Sequence, residues 1–208
     1  MSNLPAPGVY NVDPVHSSVG FVARHLVAAK VRGNFTDFTG TITIGDSIEN
    51  SSVEASLQAA SITTANEMRD GHLKSADFLD QENYPTLTLK STKITPKSGD
   101  KYELVADLTV RGITKPVTFL LEYLGTGPSM APGVDVTAFE VTGEIDRRDL
   151  GSTSKGRSKT AVSLWATRSA SKLPSRRTTR RKHIVRERAG GCEPPALSLL
   201  RWVHVRFS

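Results

Sequence analysis

The residues that could form a metal site are three histidines, His16, His25 and His72, because the single cysteine, Cys192, lies in the C-terminal segment and leaves the first 150 residues without a thiol. The histidines lie on separate predicted elements, without the regular spacing that sets of metal ligands show. The sequence contains no Gly-x-Ser-x-Gly motif, no His-Glu-x-x-His motif and no glycine loop that could hold a phosphate. We therefore predict that the protein is not an enzyme and has no catalytic residues, no metal site and no cofactor.

Charge is divided unevenly along the 208 residues. Residues 1–150 carry 13 Lys and Arg against 19 Asp and Glu, whereas residues 151–208 carry 14 against 2. The formal net charge of +6 therefore combines −6 on the first part with +12 on the second. We expect nucleic acid or an anionic surface to bind, if at all, only through the C-terminal segment, because the positive charge must lie on the surface that makes contact.

Apolar residues alternate with polar ones along most of the first 150 positions, which is the period of a strand with one face on a core. The clearest runs are residues 53–59, 102–110 and 117–123, with weaker runs between residues 19 and 44, at 87–89 and at 139–145. Turn signals such as Asp13-Pro14 and Arg111-Gly112 separate the runs. The pattern predicts an all-β fold, an antiparallel barrel of about eight strands.

One segment departs from this period. Between residues 64 and 79, the apolar side chains Met68, Leu73 and Phe78 are too far apart for a strand. Thr64 or Asn66 could cap a helix there, and Gly71 limits its length. We therefore expect a short helical segment near residues 65–80, lying across one end of the barrel.

The side chains predicted to face the interior are all apolar. A closed sheet of eight strands can enclose one small ligand. Each methylene group buried in such an interior contributes about 0.8 kcal/mol, so an apolar chain needs few polar contacts. An apolar small molecule or a lipid is therefore the expected partner.

Five motifs, in order along the chain, are similar to those of the YceI-like family. They are residues 13–21 (DPVHSSVGF), 33–40 (GNFTDFTG), 69–78 (RDGHLKSADF), 106–114 (ADLTVRGIT) and 145–151 (IDRRDLG). The resemblance covers about residues 8–151 and implies a lipocalin-like barrel. It also implies binding of a polyisoprenoid or a related amphiphilic lipid rather than catalysis.

The expected ligand contacts are of two kinds. His16, Arg69, Asp70 and His72 match polar motif positions of the family and would close the barrel mouth around a head group. Alternatively, Arg69 and Asp70 form a structural ion pair and His72 bonds a backbone carbonyl. Eight apolar residues are expected to line a pocket or to fill the core: Phe21, Phe35, Phe78, Leu104, Leu108, Phe119, Phe139 and Val141.

The segment after residue 151 departs from the family pattern. Members of the family continue into a last strand that closes the sheet, whereas residues 152–160 here are rich in Ser and Lys. We predict two parts, a barrel domain at residues 1–151 and a basic tail at residues 152–208 that is irregular or disordered. We expect this tail to arise from translation out of frame, and the rival interpretation is a genuine basic appendage that binds RNA, DNA or anionic lipid.

Loss of the last strand would have consequences for the barrel. Two neighbouring edges would keep unpaired backbone groups, and strand addition at such an edge favours a homodimer. A non-functional, truncated member of the family is a further alternative.

The first ten residues lack a basic residue followed by an apolar run, and no run of about 18 apolar residues occurs. We therefore expect no signal peptide, no membrane-spanning segment and a cytoplasmic location.

The tail also generates a prediction about the gene. From Gly151 onward, a shifted reading frame takes the third base of each codon with the first two bases of the next. This frame permits a family-like ending, in which the codons of Trp165 and Ala166 allow only a glycine. We therefore expect one nucleotide lost or gained near Gly151, so that the tail is translated out of frame. Sequencing the gene across codons 148–155 tests this, and a shifted frame that encodes no family-like ending would contradict it.

Overall fold

The computed structural model describes residues 4–25, 29–129, 135–151 and 159–170, which form eleven strands and one α-helix. The helix, α1, is Glu67–Lys74. The strands are β1 (Gly8–Asn11), β2 (Ser18–His25), β3 (Ala29–Phe35), β4 (Phe38–Ile44), β5 (Ser52–Gln58), β6 (Ile62–Thr63), β7 (Thr86–Ser98), β8 (Lys101–Val110), β9 (Ile113–Pro128), β10 (Asp135–Asp146) and β11 (Lys159–Ala170).

All of these strands belong to one antiparallel sheet, in the order β1-β4-β5-β7-β8-β9-β10-β11-β2-β3-β6. Only Thr36 and Asp37 separate β3 from β4, yet β3 pairs with β2 and β4 pairs with β5. Followed from β4 through β5 and the strands after it, the sheet therefore comes back to β3, which adjoins β4 in the chain. The sheet is in this way curled round an interior. β1 with β2, β3 with β4 and β5 with β6 each act as two halves of one bent strand, so that the eleven strands occupy eight positions. The predicted all-β antiparallel fold of about eight strands is therefore confirmed.

The short helix forms where the sequence predicts it. Asn66 is its N-cap, since the side-chain oxygen of Asn66 accepts a hydrogen bond from the backbone N–H of Arg69 at 3.0 Å. Glu67 and Asp70 place negative charge in the first turn, where the helix dipole favours it. The helix ends at Lys74, and turns lead from there to β7.

The tail differs from the prediction in one part. It is expected to be irregular from residue 152, but residues 159–170 form β11, which pairs with β10 along its whole length and with β2. The correction has a physical reason, because strand pairing uses main-chain groups that every non-proline residue carries. Thr160 and Val162 face the interior and Ala161 faces solvent, which is the alternation of a strand. β11 fills the gap between β10 and β2. The open sheet edge from which the homodimer was inferred is therefore paired. Residues 152–158 and 171–208 lie outside the described residues.

Two clusters of buried side chains occupy different levels of the interior. On β8, Tyr102, Leu104 and Ala106 belong to the first cluster and Val110 to the second. The antiparallel neighbour β7 shows the reverse order along the chain, with Leu87 in the second cluster and Ile94 in the first. The inward face is therefore continuous, but its two ends pack separately.

Leu104 provides a test of the first cluster because its side chain is completely buried there. Leu104→Ala should lower the free energy of unfolding by about 2–5 kcal/mol, since the surroundings cannot collapse fully into the space left. Urea denaturation followed by circular dichroism measures the change. The control is Leu124→Ala, at a residue that is 45% exposed on β9, where we expect a loss of less than about 0.5 kcal/mol. Equal losses would contradict this assignment.

Candidate functional site

The second cluster surrounds a cavity of about 240 Å³. Its wall comes from the curled sheet, from α1 and from the segments that follow α1 and β10. Among the described lining residues, only Thr39, Arg147 and Thr160 have polar side chains, and the others are Val12, Val19, Gly20, Phe21, Ala23, Phe35, Phe38, Gly40, Ala55, Leu57, Ile62, Leu73, Phe78, Leu79, Leu87, Leu89, Leu108, Val110, Phe119, Val141, Ile145, Leu150 and Val162. Such a wall favours an apolar guest.

A larger hollow of about 610 Å³ adjoins this cavity and shares six lining residues with it. The rest of its wall is mainly polar and includes Glu54 and Lys90, which form an exposed ion pair at 3.2 Å. Its size therefore reflects a wet surface groove. The smaller cavity is the place that removes apolar surface from water, and it is the candidate site.

The structure places the eight predicted apolar residues in two groups. Six of them line the cavity: Phe21, Phe35, Phe78, Leu108, Phe119 and Val141. Leu104 and Phe139 belong instead to the first cluster, where each is at most 2% exposed. Phe119 and Val141 belong to the first cluster and also line the cavity, so they form its floor.

Two of the aromatic rings lie over glycines on the neighbouring strand. Phe21 is paired with Gly33, and Phe119 is paired with Gly143. A Cβ atom on Gly33 would lie 2.4 Å from the Phe21 ring, and one on Gly143 would lie 2.5 Å from the Phe119 ring. Only glycine leaves room for a ring in this position, which is a known arrangement between paired strands. The glycines thus fix how far each ring extends into the cavity.

The end of the cavity opposite the floor is covered by a cap, which we define as α1 and the segment up to residue 85. Leu73, Phe78 and Leu79 line the cavity from the cap. Helix α1 itself has no fully buried residue, and Met68 is 88% exposed. The apolar contact between the cap and the barrel therefore involves few side chains.

Arg111, in the turn between β8 and β9, ties the cap to the segment after β10. Its Nη1 donates a hydrogen bond to the carbonyl oxygen of Gly151 at 3.0 Å, and its Nη2 lies 4.0 Å from Oδ2 of Asp80 in the cap. The side chains of Arg111 and Asp80 are only 17% and 14% exposed, so water screens this pair less than a surface ion pair. One arginine thus connects three segments at this end of the barrel.

Arg69 and Asp70 both bond Thr64. Asp70 accepts hydrogen bonds from Oγ1 of Thr63 at 2.9 Å and from both the backbone N–H, at 2.8 Å, and the hydroxyl of Thr64. Arg69 donates from Nε to Oγ1 of Thr64 at 2.7 Å and from Nη2 to its carbonyl oxygen at 3.1 Å. In place of the expected ion pair, the two side chains share Thr64 and hold α1 against β6. Neither side chain lines the cavity.

The two predicted histidines pair with carboxylates. Nε2 of His72 lies 3.1 Å from Oδ2 of Asp77, rather than on a backbone carbonyl, and the His72 ring meets the Phe78 ring edge-on at 4.9 Å. Nδ1 of His16 lies 2.7 Å from Oδ2 of Asp13, and this hydrogen bond lowers the pKa of Asp13. Both histidine side chains are more than half exposed and lie outside the cavity wall.

Arg147 also lines the cavity, although it is not among the residues predicted to do so. Its Cζ lies 5.8 Å from the centre of the Phe78 ring, and its Nε is buried without a hydrogen-bond partner. A signal for it exists in the sequence, because Phe139, Val141 and Ile145 on β10 alternate inward and the same period continues to residue 147. Arg147 is the one charged residue in the described part of the cavity wall.

Metal sites and membrane-spanning helices are both absent from the described residues. Within them, no three side chains of His, Cys, Asp or Glu lie close enough to hold a metal ion. Nor does any helix in the same ranges have the length and apolar composition needed to cross a membrane.

Comparison with known proteins agrees with this architecture. Residues 10–168 match the model of the YceI-like domain. The chain belongs to the YceI-like family. UPF0312 protein SA2479 from Staphylococcus aureus strain N315 is 35% identical over 144 residues, which are 68% of this chain and 81% of the relative. The match to this YceI-like domain ends inside β11, so both the family similarity and the sheet extend beyond residue 151.

Two solved structures show the same YceI-like fold. The YCEI protein of Campylobacter jejuni superimposes with a TM-score of 0.64 at 27% identity, over 77% of this chain and 97% of that one. A polyisoprenoid binding domain from Saccharophagus degradans, implicated in plant cell wall breakdown, gives a TM-score of 0.60 at 13% identity, over 78% and 98%. The second similarity, at this low identity, concerns the fold alone.

Asp70 gives this YceI-like protein a testable dependence on pH. The Thr64 hydroxyl, then Thr63 and backbone N–H groups, stabilise the Asp70 carboxylate and lower its pKa below the ordinary value. A lowered pKa in the folded state adds stability above the unfolded-state pKa of about 3.9, and this stability is lost as the pH falls through the folded pKa. Asp70→Asn should therefore be less stable than the unchanged protein at pH 7, and the difference should shrink below about pH 4.

Urea denaturation at pH 7, 5 and 3 measures this difference. Asp46→Asn, at an exposed aspartate away from Thr64, is the matched control and should change the stability at pH 7 by less than about 0.5 kcal/mol. A stability difference for Asp70→Asn that stays the same at pH 3 and pH 7 would argue against the role assigned to the carboxylate.

Proposed function

We propose that this protein binds an isoprenoid-like or other amphiphilic lipid inside the cavity and carries it without chemical change. The observation that carries the proposal is the wall of the cavity, which is apolar on every side except for Arg147, Thr39 and Thr160. An apolar chain placed there gains about 0.8 kcal/mol for each buried methylene, without needing directional contacts. The polyisoprenoid binding domain that shares the fold supports the same class of ligand.

The size of the cavity bears on the form of the cargo. Ligand pockets usually measure about 300–1,000 Å³, whereas this one measures about 240 Å³. The cavity therefore suits a short chain or one end of a long chain. A longer chain would have to pass the cap, which is held by the Arg111–Asp80 contact, by the hydrogen bonds of Arg69 and Asp70 to Thr64 and by a few apolar side chains.

Carriage is proposed in preference to the other functions considered. A carrier needs no catalytic group and no cofactor besides its cargo, in keeping with the prediction from the sequence. Binding of nucleic acid or of an anionic surface through the basic tail stays a prediction, because most of the tail lies outside the described residues. The prediction of a homodimer is also untested, and β11 now occupies the sheet edge from which it was inferred.

Blocking the cavity tests the proposal. Leu108 lines the cavity from β8, and Leu108→Trp should fill much of the space that a lipid chain needs. We expect farnesol to bind the unchanged protein saturably and Leu108→Trp at least about tenfold more weakly, a change of about 1.4 kcal/mol. Tryptophan fluorescence or isothermal titration calorimetry measures the affinity.

The matched control is Lys90→Trp, because the Lys90 side chain is 74% exposed on the outside of the sheet. This variant should bind farnesol as the unchanged protein does, and circular dichroism should show that both variants are folded. Mass spectrometry of an organic extract of the purified protein would identify a natural lipid. If farnesol binds both variants equally, the cavity is not the site.

A further inference from the structure

One charged side chain contributes to the otherwise apolar cavity wall at the cap end. Arg147 follows β10 by one residue and extends its inward alternation beyond Ile145. The Phe78 ring lies 5.8 Å from its Cζ and thus positions the guanidinium group between the cap and the cavity. Nε of Arg147 is buried and has no hydrogen-bond partner, which is a costly state for a donor on a charged group.

The neighbouring arginines differ from Arg147 in having partners. Arg148 donates to both carboxylate oxygens of Asp146, at 3.2 and 2.9 Å. Arg111 contacts Asp80 and the Gly151 carbonyl, and Arg69 is bonded to Thr64. The ion pairs formed among the described residues do not include Arg147. Residues 152–170, which follow it in the chain, contain no Asp or Glu.

An unpaired, half-buried guanidinium in an apolar wall is suited to a particular kind of ligand. Arginine is always charged and presents its N–H groups in a fixed plane that matches the oxygens of a carboxylate or a phosphate. A neutral end group would satisfy the buried N–H but leave the charge without a counter-ion. An anionic end group would satisfy both.

We propose that Arg147 binds the polar end of the cargo, and that this end is an anionic oxygen group, a carboxylate or a phosphate. The inference rests on the proposed function and adds the class and the orientation of the ligand. The head group lies under the cap beside Phe78, and the chain runs toward the floor formed by Phe119 and Val141. Val141 lies six residues before Arg147, a span of about 20 Å along the strand.

A series of ligands with one chain and three head groups tests this proposal. Farnesyl phosphate, farnesoic acid and farnesol share the same 15-carbon skeleton, an order of size suited to a small cavity. Isothermal titration calorimetry with the full chain should show both anions, or one of them, binding at least about tenfold more tightly than farnesol. The stronger of the two anions identifies phosphate or carboxylate as the preferred group.

Variants at position 147 assign the preference to its side chain. Arg147→Met keeps an unbranched apolar stem over Phe78 and should reduce the preference for the anions to less than about twofold, while farnesol binds as before. Arg147→Lys keeps the charge but loses the planar fork, so part of the preference should return. Arg148→Met removes the same charge one residue along the chain and should keep the full preference. All variants retain the basic tail, so anion binding by the tail cannot produce the difference between them.

Each result has a distinct meaning. Equal binding of all three ligands by the unchanged protein overturns the role of Arg147 and leaves the lipid cavity intact. An anion preference that persists in Arg147→Met overturns it as well. Failure of all three ligands to bind overturns the proposed function, and the inference about the head group with it.

Discussion

The interior depends on two residues, Thr36 and Asp37, which join β3 to β4. β3 pairs with β2 and β4 pairs with β5, and these partners are connected to each other through the rest of the sheet. The backbone groups of Thr36 and Asp37 are fixed to the neighbouring turn, with the N–H of Thr36 donating to the Ser61 carbonyl and the N–H of Gln58 donating to the Asp37 carbonyl. Because β3 and β4 cannot move apart, their pairing partners β2 and β5 are held next to one continuous piece of chain. The remaining strands must then bridge from β5 round to β2, and β11 completes that path.

A sheet curled in this way has one inward face that serves two purposes. At one level the side chains of β7, β8 and β10 pack into a solid cluster, and at the other level they surround a cavity. The solid end supplies the packing that stabilises the barrel without any disulfide, since the cysteine of the chain lies at position 192. The other end can then remain incompletely filled, covered by a cap that makes few apolar contacts.

Much of this arrangement can be predicted from the alternation of residue types. Period-two patterns indicate the strands of the first 150 residues, and the wide spacing of Met68, Leu73 and Phe78 indicates the helical segment. Alternation identifies the face of a strand but not the level along it, which is why Leu104 and Phe139 could not be separated from the lining residues in advance. The full length of β7 was also hidden, because a register shift between Ser91 and Lys93 moves Ile94 out of the expected phase. The hydrogen-bond state of Arg147 depends on three-dimensional packing that no local pattern records.

Phe21 is paired with Gly33, and Phe119 with Gly143. Because of these pairs, the volume of the cavity depends on residues outside its lining as well as on the lining itself. Neither Gly33 nor Gly143 contributes to the cavity wall, yet a side chain in place of either glycine would collide with an aromatic ring of the lining, and at Gly33 also with the Thr63 carbonyl oxygen. The size of the cavity can therefore differ between relatives whose lining residues are identical. Comparisons of cavity size within the family should accordingly include the residues behind the rings.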